Sequence, residues 1–146
     1  MVKSKISQIE ENKVLARQLT QAQNEQDVRK LKKLLSPNFK SHISDVPFPL
    51  NRDQYIQGVK MAHKAFAHLE FTIEDLIAGG DKVVVRITAR GKHTGNYQDF
   101  AASKQKIKFG GIAIRRILKG KIVGEWQTND QLSLLQQIGL SVNPNI

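Results

Sequence analysis

The chain has 146 residues, 40% of them hydrophobic and 25% charged, which excludes intrinsic disorder and leaves room for one domain. It contains no cysteine, which removes disulfides, thiol nucleophiles and thiolate zinc sites, and no apolar run approaches the roughly 18 residues of a membrane span. Lys and Arg number 23 against 13 Asp and Glu, a formal charge of +10 that attracts anions without specifying a fold.

Ser7 and Glu10 have capping-box spacing, so a first helix is expected from there, with Leu15, Leu19 and Ala22 on its apolar stripe. Asp27 is placed to cap a second helix that buries Val28, Leu31 and Leu34 or Leu35 and stops before Pro37. Residues 39–43 alternate weakly, and 45–49 read as a loop by their two prolines. Asn51 and Gln54 cap a third helix with Tyr55, Val59, Ala62 and Phe66 on one side.

Beyond residue 68 the apolar period changes to two. Leu69, Phe71 and Ile73 form one strand, and Gly79-Gly80-Asp81 turns into a second with Val83, Val85, Ile87 and Ala89 on one face. After an irregular stretch, strands are expected at 106–118 and 121–129, joined by a Lys119-Gly120 hairpin. A short helix follows from Gln131 to Ile138, ended by Gly139, and Ser141 to Ile146 form a loose tail. Ile107 and Phe109 lie on one parity and Ile112 and Ile114 on the other, so a bulge at Gly110-Gly111 is expected to unite them and bend the strand. Helices followed by a strongly curved antiparallel sheet imply an α+β half-barrel or cone around a pocket. One domain is expected over 1–146, with a core of about 6–140 and loose ends.

On the last strand Ile122, Gly124, Trp126, Thr128 and Asp130 share one parity, and the Trp and the aliphatic residue place that set inward. A carboxylate beside an apolar ring is a setting for general acid–base work. Asp130 also directly precedes a helix, where it serves as an N-cap, and the two readings stand side by side. His42, next to the prolyl loop, reads either as a proton carrier or as a ring bonded to backbone. His63, His68 and His93 form no metal-ligand pattern, and no GxSxG elbow supports a hydrolase. The other candidates for lining the pocket are Phe39, Tyr55, Phe66, His93 and Arg116 beside Trp126 and Thr128.

Leu69-Glu-Phe-Thr-Ile-Glu-Asp-Leu-Ile-Ala-Gly-Gly-Asp-Lys-Val-Val-Val-Arg86 resembles the SnoaL-like polyketide cyclase family. So do Gly91-Lys-His-Thr-Gly95, Gly120-Lys-Ile-Val-Gly-Glu-Trp-Gln-Thr-Asn-Asp130, Leu134-Leu-Gln-Gln-Ile-Gly139 and the earlier Phe39-Lys-Ser-His42. The resemblance implies an NTF2-like cone, commonly dimeric, and an intramolecular aldol condensation that uses neither metal nor cofactor. It implies an acid–base role for Asp130 and a site role for His42. The chain departs from the family at Ala101-Ala-Ser-Lys-Gln105, where a Pro-Pro-Thr-Gly turn is usual, and at Gly124-Glu125, where the usual Glu before the Trp is shifted. It also departs at Arg115-Arg116, where some cyclases carry a histidine; an arginine there favours a carboxylate or enolate ligand.

The leading expectation is a cofactor-independent cyclase- or isomerase-type enzyme acting on a small, mostly apolar, carbonyl-bearing ligand. In it Asp130 moves the proton, and His42 or Arg116 stabilises the oxyanion. The alternative is a non-catalytic domain that holds such a ligand. A third reading, nucleic-acid binding, rests on charge alone, and nucleic acid is not an expected partner. A mixed outer sheet face, with Val84 and Val123 on it, leads to the expectation of a homodimer through the sheet. The opening residues lack a signal-peptide core, so the expected compartment is the cytoplasm, with no membrane contact.

Overall fold

In the computed structural model, which describes residues 4–141, helix α1 (Lys5–Glu25) begins one turn earlier than the Ser7–Glu10 spacing predicts. Ser4 is the cap, since its hydroxyl accepts the Ser7 N–H at 3.1 Å and Ser7 lies inside the first turn. The loose ends expected at 1–5 and 141–146 lie largely outside the described residues, and Ser4 and Lys5 already cap and begin α1. Asp27 caps α2 (Val28–Leu34), its carboxylate accepting the Lys30 N–H at 3.0 Å.

The chain then passes straight from helix to strand at Leu35, the start of β1 (Leu35–Ile43). Pro37 falls where the β1 ladder slips register between Leu35 and Lys40, a place where a missing N–H costs no ladder bond. Two residues of β2 (Leu50–Asn51) lead into α3 (Arg52–Ala65), whose capping box is complete. Gln54 N–H donates to the Asn51 side chain and Asn51 N–H to the Gln54 side chain, both at 2.9 Å. Phe66, expected on this helix, is instead the first residue of β3 (Phe66–Gly79). β4 (Lys82–His93), β5 (Lys106–Leu118), β6 (Lys121–Asn129) and α4 (Gln131–Gln137) complete the chain.

The six strands form one curved sheet in the order β2-β1-β6-β5-β4-β3. One ladder departs from an all-antiparallel sheet, because β1 runs parallel to β6. The helices cover the inner face. One apolar cluster joins Leu19, Leu31, Leu35 and Phe39 to Val83, Val85 and Ile122. A second packs Leu134 of α4 and its C-cap Ile138 against Phe66, Leu69, Ala89 and Ile107. Among the described residues no helix is long and apolar enough to cross a membrane.

The expected bulge at Gly110-Gly111 is absent. The β4–β5 ladder runs unbroken through Thr88↔Gly110 and Ile87↔Gly111. Ile107 and Phe109 therefore point inward, and Ile112 and Ile114 point outward, where Ile112 is 46% exposed. The irregularity lies on the next ladder. Arg116 pairs with Gly124 and Ile117 with Ile122, so Val123 is an extra residue on β6. One extra residue reverses the facing of everything beyond it.

Candidate functional site

That bulge decides which residues face the interior. Ile122 is buried, as its parity predicts, but from Gly124 onward the alternation is inverted: Glu125, Gln127 and Asn129 point inward, and Trp126 and Thr128 point out. The expected inward direction of the Trp126 face is therefore corrected: Trp126 and Thr128 line, with His42, a pocket on the outer face instead. Trp126 is 42% exposed and stacks on His42 of β1, ring centroids 5.4 Å apart and planes 8° from parallel. Gly124 lies beneath this indole, and a Cβ there would meet the ring at 3.4 Å. Thr128 Oγ1 lies 3.0 Å from Ser44 Oγ on the same outer face. Arg116 also faces out, its Nε donating to Asp81 at 2.8 Å and holding that carboxyl below the usual carboxylate range. Asp130 is exposed and caps α4, accepting the Ser133 N–H at 3.1 Å.

The inward face of β6 begins with a buried ion pair. Arg115 of β5 sits opposite Glu125 in the ladder, and its Nε donates to Glu125 Oε2 at 3.2 Å, with both side chains almost fully buried. The Arg115 guanidinium also donates to Ala16 O at 2.6 Å and Thr20 Oγ1 at 2.8 Å, which ties α1 to the sheet. Glu125 Oε1 accepts from Ser41 Oγ at 3.1 Å and Gln127 Nε2 at 2.7 Å. Tyr55 OH reaches Oε2 at 3.5 Å and accepts from Gln23 Nε2. Burial first, and the Glu125 charge second, push the Tyr55 phenol well above its ordinary range, so it stays protonated. With both oxygens engaged, Glu125 is an anchor. Gln127 passes the order on, because its Oε1 accepts from Asn129 Nδ2 at 2.9 Å. A methyl group at Gly111, across the ladder, would run into Asn129 Oδ1, so glycine there is what lets the amide lie flat.

Between the two apolar clusters, beside this polar row, lies a cavity of about 160 Å³. Phe66, Leu69, Phe71, Ile87, Phe109 and Leu134 line its apolar walls. Gln127, Asn129, Gln131 and Tyr97 supply polar groups, with the Arg115–Glu125 pair at the base. Tyr97 comes from the loop between β4 and β5, its ring 5.1 Å from that of Phe66. Gln131 Nε2 donates to the Tyr97 hydroxyl oxygen at 2.8 Å, which leaves the phenolic hydrogen free to donate. A space of this size suits a molecule not much larger than one six-membered ring.

Of the residues selected from sequence, Phe66 lines this cavity. Phe39 and Tyr55 are buried edge to face beneath Glu125, ring centroids 5.1 Å apart, and His93 is buried behind Phe66. His42, Trp126 and Thr128 are on the outer face, where with Ile112 and Ile114 they line an open pocket of about 360 Å³; Arg116 is on the same face, and Asp130 is exposed at the start of α4. Sequence reasoning missed Arg115, Glu125, Gln127, Asn129, Gln131 and Tyr97. Their signal was three polar residues in strict alternation on β6, which reads as a wet face unless an inward arginine is recognised on the neighbouring strand. Among the described residues no group of three or more His, Asp or Glu side chains could hold a metal ion.

A curved sheet packed by helices over an inner cavity, with an ordered polar row beside it, is the NTF2-like architecture. The model of the SnoaL-like polyketide cyclase family matches residues 13–138, and the chain belongs to that family. Among solved structures, it is similar to a proposed SnoaL-like polyketide cyclase from Jannaschia sp. CCS1, with TM-score 0.85 and 18% identity over 97% of this chain and 99% of that one. AclR, a proposed hydroxylase from Streptomyces galilaeus, superposes with TM-score 0.81 and 24% identity over 90% and 97% of the two chains. IdmH, a proposed polyketide cyclase from Streptomyces antibioticus, gives 0.79 and 23% over 88% and 99%. These identities speak to the fold alone. No curated protein matches the chain.

Proposed function

We propose that the chain binds a small, flat, mostly apolar carbonyl compound in the inner cavity and assists its ring closure without metal or cofactor. The observation that carries this reading is an apolar cavity with a polar side of neutral donors, in which Tyr97 has a hydrogen to give. In an aldol-type closure an enol carbon attacks a carbonyl, and negative charge collects on that carbonyl's oxygen. A donor already aimed at that oxygen stabilises the charge as it develops. Both oxygens of Glu125, the cavity's carboxylate, are engaged, so the reading favours β-dicarbonyl substrates that carry a further carbonyl within ring-closing reach: they already populate the enol, and the enol proton released as the C–C bond forms is the one the new alkoxide takes up.

A second reading, proton transfer by Asp130, draws its support from the family resemblance. Asp130→Asn separates the two, since both residues cap a helix well. Turnover of a short β-keto ester carrying a further ketone that its α-carbon can reach to close a six-membered ring, within a few-fold of the parent for Asp130→Asn, supports the cap reading. A loss of about 10²–10⁴-fold supports the acid–base reading. Acetylacetone and such esters should bind, detected by NMR, and Asn129→Leu should weaken them about tenfold by removing one ordered polar partner. Ligands that bind and never react would turn the assignment to a binding domain, and no binding at all would overturn it.

The outer face supports a further part of this reading, a homodimer through the sheet. Ile77, Ile112 and Trp126 are 66%, 46% and 42% exposed, and Val84 and Ile114 lie between them, forming an apolar belt across the strands. Light scattering at micromolar concentration should give twice the chain mass, and Trp126→Glu should give the monomer with an unchanged circular dichroism spectrum.

A further inference from the structure

His93 ends β4 with its ring fully buried. Its Nδ1 accepts the backbone N–H of Ser103 at 3.0 Å and lies 2.8 Å from Ser103 Oγ. A nitrogen that accepts an N–H carries no proton, so the hydrogen of the neutral ring sits on Nε2, which has no hydrogen-bond partner among the described residues. The main chain is tied at the same place, with His93 N–H donating to Gln105 O and Lys104 N–H to His93 O, both at 2.8 Å. Together these bonds close the base of the loop over residues 94–105. Its first turn is fixed by Thr94 and Gly95 N–H on Ala65 O, each at 3.0 Å. Tyr97 stands in this loop, and Phe66 touches both rings, 5.4 Å from His93 and 5.1 Å from Tyr97.

We propose that His93 is a positioning residue: as a neutral imidazole it clasps Ser103 and holds Tyr97 over the cavity, and taking up a proton opens the clasp. Its effect on binding rests on the ligand reading above, whereas the clasp itself does not. A proton on Nδ1 would leave the Ser103 N–H without its acceptor and put a charge into a buried site. The groups around the ring resist that charge. β3 presents Phe66, and α4 and its C-cap pack apolar Leu134 and Ile138 into the cluster that holds Phe66. The loop presents Ser103, the Gly95 backbone and the cation Lys104, while Lys64 meets Gly95 through its carbonyl. Lys92 and Lys106, in register on β4 and β5, are exposed.

Burial first, and Lys104 with it, hold His93 below the usual histidine range, against a smaller opposing effect of the Gly95 backbone. A group depressed in the closed state is protonated first in the open one. Closure is therefore fully present above the ordinary histidine pKa of about 6.5 and declines as pH falls below it.

The test follows the Ser103 amide and Tyr97 ring signals of the full chain by NMR from about pH 8 to about pH 5, with acetylacetone as the probe. The signals should move together as His93 titrates, and probe affinity should fall by up to about tenfold for each unit by which the closed state depresses the histidine. His93→Asn, which keeps an acceptor near Nδ1 and cannot titrate, should flatten both profiles and retain neutral-pH affinity. His93→Leu should show the open-loop signals at every pH; if it does not fold, the Asn variant decides. Loop signals that stay fixed across the titration, or an Asn variant with the parent's pH dependence, would overturn the clasp, even where acetylacetone binds. Loop signals that move and are flattened by Asn, with no acetylacetone bound at any pH, would uphold the clasp and remove the ligand reading.

Discussion

Arg115→Met should cost about 3–5 kcal/mol of stability, because it leaves a buried carboxylate with no counter-charge. Met fills much of the same volume, so the loss is chiefly electrostatic rather than a cavity. The guanidinium also supplies the donors that Ala16 O and Thr20 Oγ1 accept, so the loosened element is α1. Urea unfolding should show a lower midpoint at unchanged slope, since the surface exposed on unfolding is the same. Adding Glu125→Gln in the Met background should recover part of the loss, since a neutral amide needs no counter-charge and still reaches Ser41 and Gln127. A single variant within about 1 kcal/mol of the parent would mean that water from the cavity solvates the pair, and Glu125 would lose its place as the anchor of the polar row.

How much of this was legible in the sequence depends on how local each signal is. The Asn51–Gln54 capping box, the Asp27 and Asp130 caps and the turn between β5 and β6 are written in neighbouring residues, and the structure repeats them. The strands at 106–118 and 121–129 were legible for the same reason. The facing of β6 was not. Counting by twos from Ile122 is sound until Val123 adds a residue that has no partner on β5, and the count then gives the wrong face for Trp126, Thr128 and Asp130. Nothing in the Ile-Val-Gly sequence demands a bulge; it shows only once β6 is laid against β5, where it brings Glu125 opposite Arg115. Gly124 was the available clue, since a glycine two residues before a tryptophan leaves room for the indole to fold back over the strand. The Ile112–Ile114 puzzle had the same root. Apolar residues on both faces of β5 suggest a bulge by pattern alone, whereas the outer face is itself apolar.

Tyr97→Phe should lower the turnover of a β-dicarbonyl substrate by about 10²–10³-fold, the usual loss on removing one donor from a developing oxyanion. The ring stays, so its packing on Phe66 at 5.1 Å is kept, and Gln131 at the rim loses an acceptor that water can replace. Stability should therefore change by less than about 1 kcal/mol. Affinity should fall much less than kcat, because the donor matters most when the oxygen carries charge, a condition that belongs to the transition state. A variant that loses affinity and kcat/KM in proportion, with kcat unchanged, would show that Tyr97 only helps to hold the ground state. A variant that keeps both would remove the phenol from the chemistry and leave the amides of Gln127, Asn129 and Gln131 as the groups to change next.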